Sequence, residues 1–248
     1  NLVGSLSVLN GDDMIAVGGP GTPSTSRYGG ASHAGFGADR VSSILHEIIY
    51  GSISRPVLFG SPPYYVTKKG GGAVRIVASV SVVVEKDGSI TANGGGGYVG
   101  NYEGGASGGS ILIETPVLKI GGMISANGGD TATSTSQQSG GGGGGRIGIH
   151  THSLIWLGSV SENGASLIVN GGRRLCSKQC NPGSPGTVYI NTSMLTKKLV
   201  VPDGAMLNDL VSLEEDVLWD SVEVHGTMML SRPNSLSIAS LEIFLTNF

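Results

Sequence analysis

The sequence predicts an all-β protein, a parallel β-helix (β-solenoid) with long glycine-rich loops and an N-terminal loop-rich insertion. One observation behind this fold class is a short strand-like phrase that follows a glycine run at residues 72–77, 109–114, 145–150 and 186–191. The leading glycines of these phrases are spaced by 37, 36 and 41 residues. A second phrase recurs between them at residues 90–95 and 124–129 and, more loosely, at 168–172. Repetition at a near-constant period is typical of stacked repeat units that share one core.

The repeated phrases have the pattern of strands rather than helices. In the first unit Val74, Ile76 and Ala78 alternate with outward positions, and β-branched residues are frequent. Such alternation indicates strands, whereas each glycine would cost a helix about 1 kcal/mol. One unit of short strands cannot bury its own apolar face, but successive units can do so by stacking. The repeats therefore predict coils of about 36 residues.

Long glycine-rich stretches separate the strand phrases, at residues 94–109 and 128–145. We interpret them as loops and turns between coils, where glycine permits close approach of neighbouring coils. The run at residues 140–145 has an alternative interpretation as a disordered linker. Its position directly before a strand phrase, as in the other repeats, favours ordered turns.

The chain divides into three predicted parts. Residues 1–69 are interpreted as an N-terminal rung followed by a loop-rich insertion or cap, with one short helix at residues 41–49 preceded by Asp39 as a possible cap. Residues 70–191 hold the glycine-rich repeats, and residues 192–248 continue as β rungs, with a separate small β domain as the alternative. The two ends predict a fragment of a longer polypeptide, truncated at its C-terminus, whose signal peptide is outside it.

Composition argues against several classes of protein. The net charge is −3, with 15 Lys and Arg against 18 Asp and Glu, and no basic stripe suits a nucleic-acid partner. The sequence contains no run of about 20 apolar residues, so it predicts no membrane span. Hydrophobic residues make up 39% of the chain, which argues against disorder of the whole despite 43 glycines.

The order of the motifs carries a family resemblance over residues 18–190. It runs from Ser32-His-Ala-Gly-Phe-Gly through Tyr50-Gly-Ser and Pro56-Val-Leu-Phe-Gly-Ser to the strand phrases described above. This succession resembles a glycine-rich β-helical module of large secreted or cell-surface proteins of protists, algae, plants and some bacteria. The resemblance implies a structural, extracellular or cell-surface role, and such modules occur in proteins that resemble subunits of extracellular filaments and flagellar hairs (mastigonemes). This chain departs from the pattern after Asn170, where two arginines and two cysteines follow.

Two kinds of modified residue are predicted. Cys176 and Cys180 lie four residues apart in a loop, which favours a disulfide in an oxidising compartment over free thiols or half of a zinc site. Asn191 begins the Asn-Thr-Ser sequon and is a candidate for glycosylation in a secreted protein. We expect no cofactor and no metal site.

Catalytic residues are not evident in the sequence, and we predict that the chain is not an enzyme. Glycoside hydrolysis needs two facing carboxylates, but no acidic residue recurs at one phase of successive repeats. His150 and His152 share a strand face without an evident third ligand for zinc. The predicted function is a non-catalytic structural module of an extracellular assembly, with a filament subunit as the specific form. Its partners would be other domains of the parent chain, neighbouring subunits and attached glycans. A carbohydrate-active β-helix enzyme, of the lyase or hydrolase type, and an adhesin remain the alternatives.

Overall fold

The computed structural model describes sixteen β-strands, and the part of the chain that it describes contains no helix. The described residues are 4–9, 19–23, 28–39, 48–64, 68–97, 103–132, 139–157, 166–175, 180–193, 196–201, 206–208, 218–219, 221–224, 227–229, 237–238 and 241–243. The strands of the N-terminal and repeat parts are Gly4–Leu9 (β1), Ala73–Ala78 (β2), Ser81–Val84 (β3), Ser89–Thr91 (β4), Ser110–Ile120 (β5), Met123–Ser125 (β6), Arg146–Trp156 (β7), Ser166–Ile168 (β8) and Thr187–Ser193 (β9). The C-terminal strands are Thr196–Val201 (β10), Met206–Asn208 (β11), Leu218–Trp219 (β12), Ser221–Val224 (β13), Thr227–Met229 (β14), Ser237–Ile238 (β15) and Leu241–Ile243 (β16).

Most strands belong to one nine-stranded mixed sheet, ordered β1-β2-β5-β7-β9-β10-β13-β16, with β3 beside the second half of β5. Strands β2, β5, β7 and β9 are parallel to one another. Strands β4, β6 and β8 form a separate three-stranded parallel sheet. The pairs β11-β14 and β12-β15 are short parallel sheets of their own.

The strand phrases are confirmed, and so is their register. Each phrase of the first kind lies in β2, β5, β7 or β9 apart from its leading glycine, and each phrase of the second kind begins in β4, β6 or β8 and continues beyond the end of that strand. Equivalent residues of successive repeats face each other, as Ile76, Ile113, Ile149 and Ile190 do. Parallel pairing in this register places the apolar positions of all repeats on one face, because side chains alternate along a strand.

The prediction of a parallel β-helix is wrong. The sheets do not close into a solenoid, and the main sheet is mixed because β1 is antiparallel to β2 and β10 is antiparallel to β9. The physical reason lies in the glycine-rich stretches, which were expected to be turns between coils. They are instead segments whose backbones bond laterally to one another rather than turning from one coil to the next.

The segment at residues 140–145 shows how the glycine-rich stretches are held. Its backbone N–H groups donate in a period of three, since residues 140 and 143 donate to the carbonyls of Tyr28 and Ala31 at 2.7 and 2.8 Å. Residues 141 and 144 donate to residues 181 and 184, and residues 142 and 145 donate to residues 129 and 126. Three residues per turn without internal hydrogen bonds is the geometry of a polyproline II helix. Residues 140–145 therefore lie inside a bundle of such segments, and we call this array the glycine bundle.

Glycine is required in the bundle because backbones approach one another closely. A Cβ atom built on Gly143 would lie 1.9 Å from the carbonyl oxygen of Gly35, and one on Gly105 would lie 1.9 Å from that of Gly129. No side chain fits at such distances, as at the crowded axis of collagen. The alternative interpretation of residues 140–145 as a disordered linker is therefore wrong.

The apolar core lies between the inner face of the main sheet and the sheet β4-β6-β8. The middle repeat supplies its most buried side chains, with Ile113, Leu118, Ile120 and Ile124 all 0% exposed. Among the equivalent apolar residues of the other repeats, Val84 and Ile149 are also buried. Those that are only partly buried against the same core are Ile76, Val82, Ile90, Leu154, Trp156, Leu167 and Ile190. The core is thus closed in its middle and open towards both ends of the stack.

The N-terminal insertion covers the outer face of the main sheet. Residues 48–64 lie across the strands, where Ser110 Oγ donates to the carbonyl of Leu58 at 2.6 Å. Pro56 packs over Gly148, where a Cβ atom would lie 2.6 Å from the proline Cδ. The predicted helix at residues 41–49 falls mostly on residues outside the described part. The insertion therefore decides which outward side chains of the repeats are covered and which remain accessible.

Candidate functional site

A row of polar residues crosses the outer face of the main sheet at the rim of the insertion. Glu114 of β5, His150 of β7 and Asn191 of β9 are register neighbours on adjacent parallel strands. Parallel pairing places equivalent residues side by side about 4.8 Å apart. The repeat phrase therefore brings together three side chains that lie 36 and 41 residues apart in the sequence.

Glu114 is the charged centre of this row. Its Oε1 accepts from Arg55 Nη1 at 2.9 Å, and its Oε2 accepts from Arg75 Nε and Nη2 at 2.9 and 2.6 Å. Partial burial alone would raise the pKa of Glu114, but the hydrogen bonds and charge of Arg75, with the charges of Arg55 and His150, lower it below its usual value. The carboxylate is consequently ionised at neutral pH and links the insertion to two repeats.

His150 is held in a defined orientation. Its Nε2 lies 2.7 Å from the carbonyl oxygen of Ser54, so that nitrogen carries the proton and donates. The ring also lies against Tyr189, with the two ring centroids 5.4 Å apart. These contacts fix the imidazole between the insertion and the neighbouring strand.

A groove of about 360 Å³ opens beside this row. It is lined by Ala78, Ser79, Glu114, Thr115, Pro116, His150, Thr151, His152 and Asn191. Glu114 is the single carboxylate among these lining residues, whereas glycoside hydrolysis requires a pair in which one member is protonated. The groove therefore offers hydrogen-bonding groups for a polar ligand, and its ionised glutamate is unsuited to act as a general acid.

Metal binding was considered for the two histidines of the groove. His150 and His152 both lie in β7, as the sequence predicts. Among the described residues, no group of three or more His, Cys, Asp or Glu side chains is arranged to hold a metal ion. His152 is exposed, whereas His150 already donates to a backbone carbonyl.

A second polar cluster lies buried beneath the insertion. Arg146 is 0% exposed, and its Nε and Nη2 donate to the carbonyl of Tyr50 at 3.2 and 3.1 Å, while its Nη1 donates to Thr187 Oγ1 at 3.0 Å. His33 stacks on Tyr50 with ring centroids 4.5 Å apart. Gly51 passes between His33 and Arg146 with a φ of 83°, a conformation that favours glycine. The cluster fastens the insertion to the first positions of β7 and β9.

Burial dominates the protonation states in this cluster. It lowers the pKa of His33 to about 3, with the nearby positive charge of Arg146 acting in the same direction. It raises the pKa of Tyr50 to about 12, although hydrogen bonds from Ser61 and Ser107 oppose the rise. The imidazole and the phenol are therefore both neutral at physiological pH. We assign this cluster to packing, because its polar atoms face the insertion rather than the groove.

The sequence-predicted site residues lie in different places. Asn191 is half-buried within β9 and lines the groove, and its glycosylation stays a prediction. Cys180 is 1% exposed, disulfide-bonded, and accepts from the backbone N–H of Ser139 at 3.2 Å. Its pairing with Cys176 stays a prediction, since Cys176 lies outside the described residues.

Sequence reasoning missed the two arginine-centred contacts of the site. Arg146 and Arg75 both occupy outward positions in otherwise apolar strand phrases. A charged residue at such a position normally faces solvent, so nothing in the local pattern indicates that residues 48–64 cover Arg146. One indication of this cover is Gly148, since a glycine inside a strand can mark the close approach of another segment. Pro56 of the insertion packs at this glycine.

Comparison of the chain with protein-family models, with curated proteins and with solved structures finds no match. The resemblance to a glycine-rich module of cell-surface proteins therefore stays a prediction.

Proposed function

We propose that this chain is a non-catalytic structural module of an extracellular or cell-surface assembly. The observation that carries this proposal is the hydrogen bonding of residues 140–145, which donate to three different neighbouring segments. The same residues accept from others, for example from Gly105 and Gly108 at 2.9 Å each. Displacing the segment requires several backbone bonds in different directions to break together, and this property suits a stiff element.

Contacts between the insertion and the repeats support the same proposal. Arg55 of the insertion and Arg75 of β2 both bind Glu114 of β5, so that one carboxylate joins three parts of the chain. Arg146 binds the carbonyl of Tyr50 from beneath. The guanidinium groups of Arg55, Arg75 and Arg146 therefore bind groups of the protein itself.

The mechanical part of the proposal is tested by stretching the chain between two flanking reference domains in a force microscope. We expect one cooperative rupture that releases residues 70–191, roughly 430 Å of chain at about 3.5 Å per residue. Gly143→Ala should lower the rupture force, and Gly96→Ala, which has ordinary contacts, should leave it unchanged. Gradual extension without a force peak would contradict a mechanical role, and so would turnover of a polysaccharide by the wild-type chain.

The location is tested separately through the sequon. The chain, directed into the secretory pathway of a eukaryotic cell, should reach the medium and lose mass when treated with a peptide-N-glycosidase. Asn191→Gln is the matched control and should not change mass on treatment. Retention of folded wild-type chain inside the cell would argue against an extracellular location.

A further inference from the structure

The three Asn-Gly-Gly steps of the sequence are joined by a ladder of hydrogen bonds. They begin at Asn93, Asn127 and Asn170, just beyond the ends of β4, β6 and β8. The side-chain Oδ1 of Asn93 accepts from the backbone N–H of Asn127 at 2.7 Å, and the Oδ1 of Asn127 accepts from that of Asn170 at 2.9 Å. The glycines that follow take part as well. Gly94 donates to the carbonyl of Asn127 at 2.8 Å, and Gly128 donates to that of Asn170, also at 2.8 Å. We call this array the asparagine ladder.

The asparagine ladder ends at Asn170. The chain turns back from β9 into the antiparallel β10, and the sequence contains no fourth Asn-Gly-Gly step. Asn170 is exposed. Among the described residues, neither its side-chain amide nor the N–H of Gly171 has a hydrogen-bond partner. The last step of the ladder is therefore held by fewer bonds than the two before it.

An Asn-Gly step can react with itself, because glycine has no side chain to hinder attack of its nitrogen on the preceding side-chain amide. The attack requires the peptide group between the two residues to rotate, and the hydrogen bonds of that group and of the amide oppose the rotation. At Asn127 three ladder bonds must break, those of its Oδ1, its carbonyl and the N–H of Gly128. At Asn93 two must break, those of its Oδ1 and the N–H of Gly94. At Asn170 the described residues supply one such bond, which its carbonyl accepts from Gly128.

Packing around the glycines does not distinguish the three steps. A Cβ atom built on Gly94, Gly128 or Gly171 would lie 2.3, 2.0 or 1.9 Å from a carbonyl oxygen. The local sequence does not distinguish them either, since each step reads Asn-Gly-Gly after an apolar residue. The hydrogen bonds of the ladder are therefore the feature in which the three steps differ.

We propose that Asn170 is a site of spontaneous modification in the folded protein, at which the nitrogen of Gly171 attacks the side-chain amide. That nitrogen forms a bond to Asn170 Cγ and gives up its proton, while the Cγ–Nδ2 bond breaks and ammonia leaves with the proton. The product is a cyclic imide, a succinimide. One water molecule then opens the ring at either carbonyl and leaves aspartate or isoaspartate at position 170. No electron is transferred, and both products carry one negative charge more than the amide.

The test is peptide mapping by mass spectrometry of the full 248-residue chain, incubated folded in mildly alkaline buffer and sampled over time. The map reads each asparagine separately and distinguishes aspartate and isoaspartate from the amide. Loss of the amide should be fastest at Asn170, about fivefold slower at Asn93 and about thirtyfold slower at Asn127, because each further bond to be broken raises the barrier. The same chain in concentrated urea has no ladder, so its three Asn-Gly-Gly steps should react at similar rates.

Asn170→Gln is the matched control variant. It keeps an exposed amide at position 170 but moves it one methylene group away from the attacking nitrogen, so conversion at this position should stop. The urea midpoint and the rates at Asn93 and Asn127 should stay those of wild type, because the side chain of Asn170 has no partner among the described residues.

Two results would overturn the proposal. One is a folded chain that keeps the amide of Asn170 while the chain in urea loses it, since the end of the ladder would then be protected after all. The other is equal rates at Asn170 and Asn127 in the folded chain, because the reaction would then proceed through unfolded molecules and the ladder would give no protection. Neither result would affect the force measurement, which tests the structural role independently.

Discussion

Replacing Gly143 with alanine tests whether close backbone packing in the glycine bundle stabilises the protein. The added Cβ would lie 1.9 Å from the carbonyl oxygen of Gly35 and 2.4 Å from its carbonyl carbon. Ordinary contacts of carbon are about 3.5 Å, so the two segments would have to separate by roughly 1.5 Å. The hydrogen bond from Gly143 N to Ala31 O, now 2.8 Å, joins the same two segments and would be lost.

The expected loss of stability follows from three contributions. Overpacking of a close-packed interior costs about 1–3 kcal/mol. Loss of a buried backbone hydrogen bond adds about 1–3 kcal/mol. Reduced freedom of the unfolded chain offsets about 0.4–1 kcal/mol. We therefore expect Gly143→Ala to lower the free energy of unfolding by about 2–5 kcal/mol, and the Tm by about 5–15 °C for a chain of this length.

The matched control is Gly96→Ala in another bundle segment. The nearest atom to a Cβ at Gly96 is the carbonyl oxygen of Asp130 at 3.6 Å, an ordinary contact. Its free energy of unfolding should stay within about 1 kcal/mol of wild type, with any gain coming from the unfolded state. Chemical denaturation and thermal melting of the three proteins measure the effect. Equal stabilities for Gly143→Ala and Gly96→Ala would refute the reasoning, because the variants differ in the space around the added methyl group.

Three further outcomes are expected. Arg146→Met leaves the buried carbonyl of Tyr50 without its hydrogen-bond donor. The urea midpoint should fall by an amount equivalent to about 2–4 kcal/mol in the free energy of unfolding. An unchanged midpoint would show that the buried guanidinium does not stabilise the fold. The folded-state pKa of His33 is about 3, so the unfolded state alone gains a proton as pH falls below about 6.5, and stability should drop by about 1.4 kcal/mol per pH unit. His33→Asn, which keeps the donor but does not titrate, should show a shallower drop between pH 6.5 and pH 5 in the same urea titrations. Mass spectrometry after alkylation should find no free thiol at Cys176 or Cys180, and reduction should lower stability by about 2 kcal/mol for this short loop.

The strands of the repeats could be predicted because their pattern is local. Alternation in residues 73–78 and its recurrence after each glycine run identify both the element and its register, since one buried face fixes the pairing. The C-terminal strand at residues 221–224 has the same alternation and pairs in parallel with β10 and β16.

The glycine bundle could not be predicted from the same local pattern. A glycine-rich loop and a packed polyproline II segment have the same composition, and what separates them is the partner of each backbone N–H. Gly140 donates to Tyr28, more than 100 residues earlier in the chain, and no side chain marks the pair. The closed β-helix was the wrong conclusion because it assigned these residues to turns.

The candidate groove could be predicted only in part. His150 and Asn191 were singled out from the sequence, but the partners that orient Glu114 come from two different regions, Arg55 in the insertion and Arg75 in β2. A proline-rich insertion gives no periodicity from which its path over the sheet could be inferred. The register of the strands places Glu114, His150 and Asn191 side by side. The insertion supplies the contacts that hold Glu114 and His150, and these could not be predicted.

The order of the glycine bundle has a consequence for how the protein appears in spectroscopy. Its segments have the backbone geometry that unfolded chains also favour, so their far-ultraviolet circular dichroism resembles that of a disordered polypeptide. Their amide protons are nevertheless bonded to carbonyls in buried surroundings, as at residues 140–145. Hydrogen–deuterium exchange should therefore be slow where the dichroism signal suggests an unstructured chain. For the glycine bundle, slow amide exchange without a helical or sheet contribution to the spectrum is therefore an expected signature of the native state.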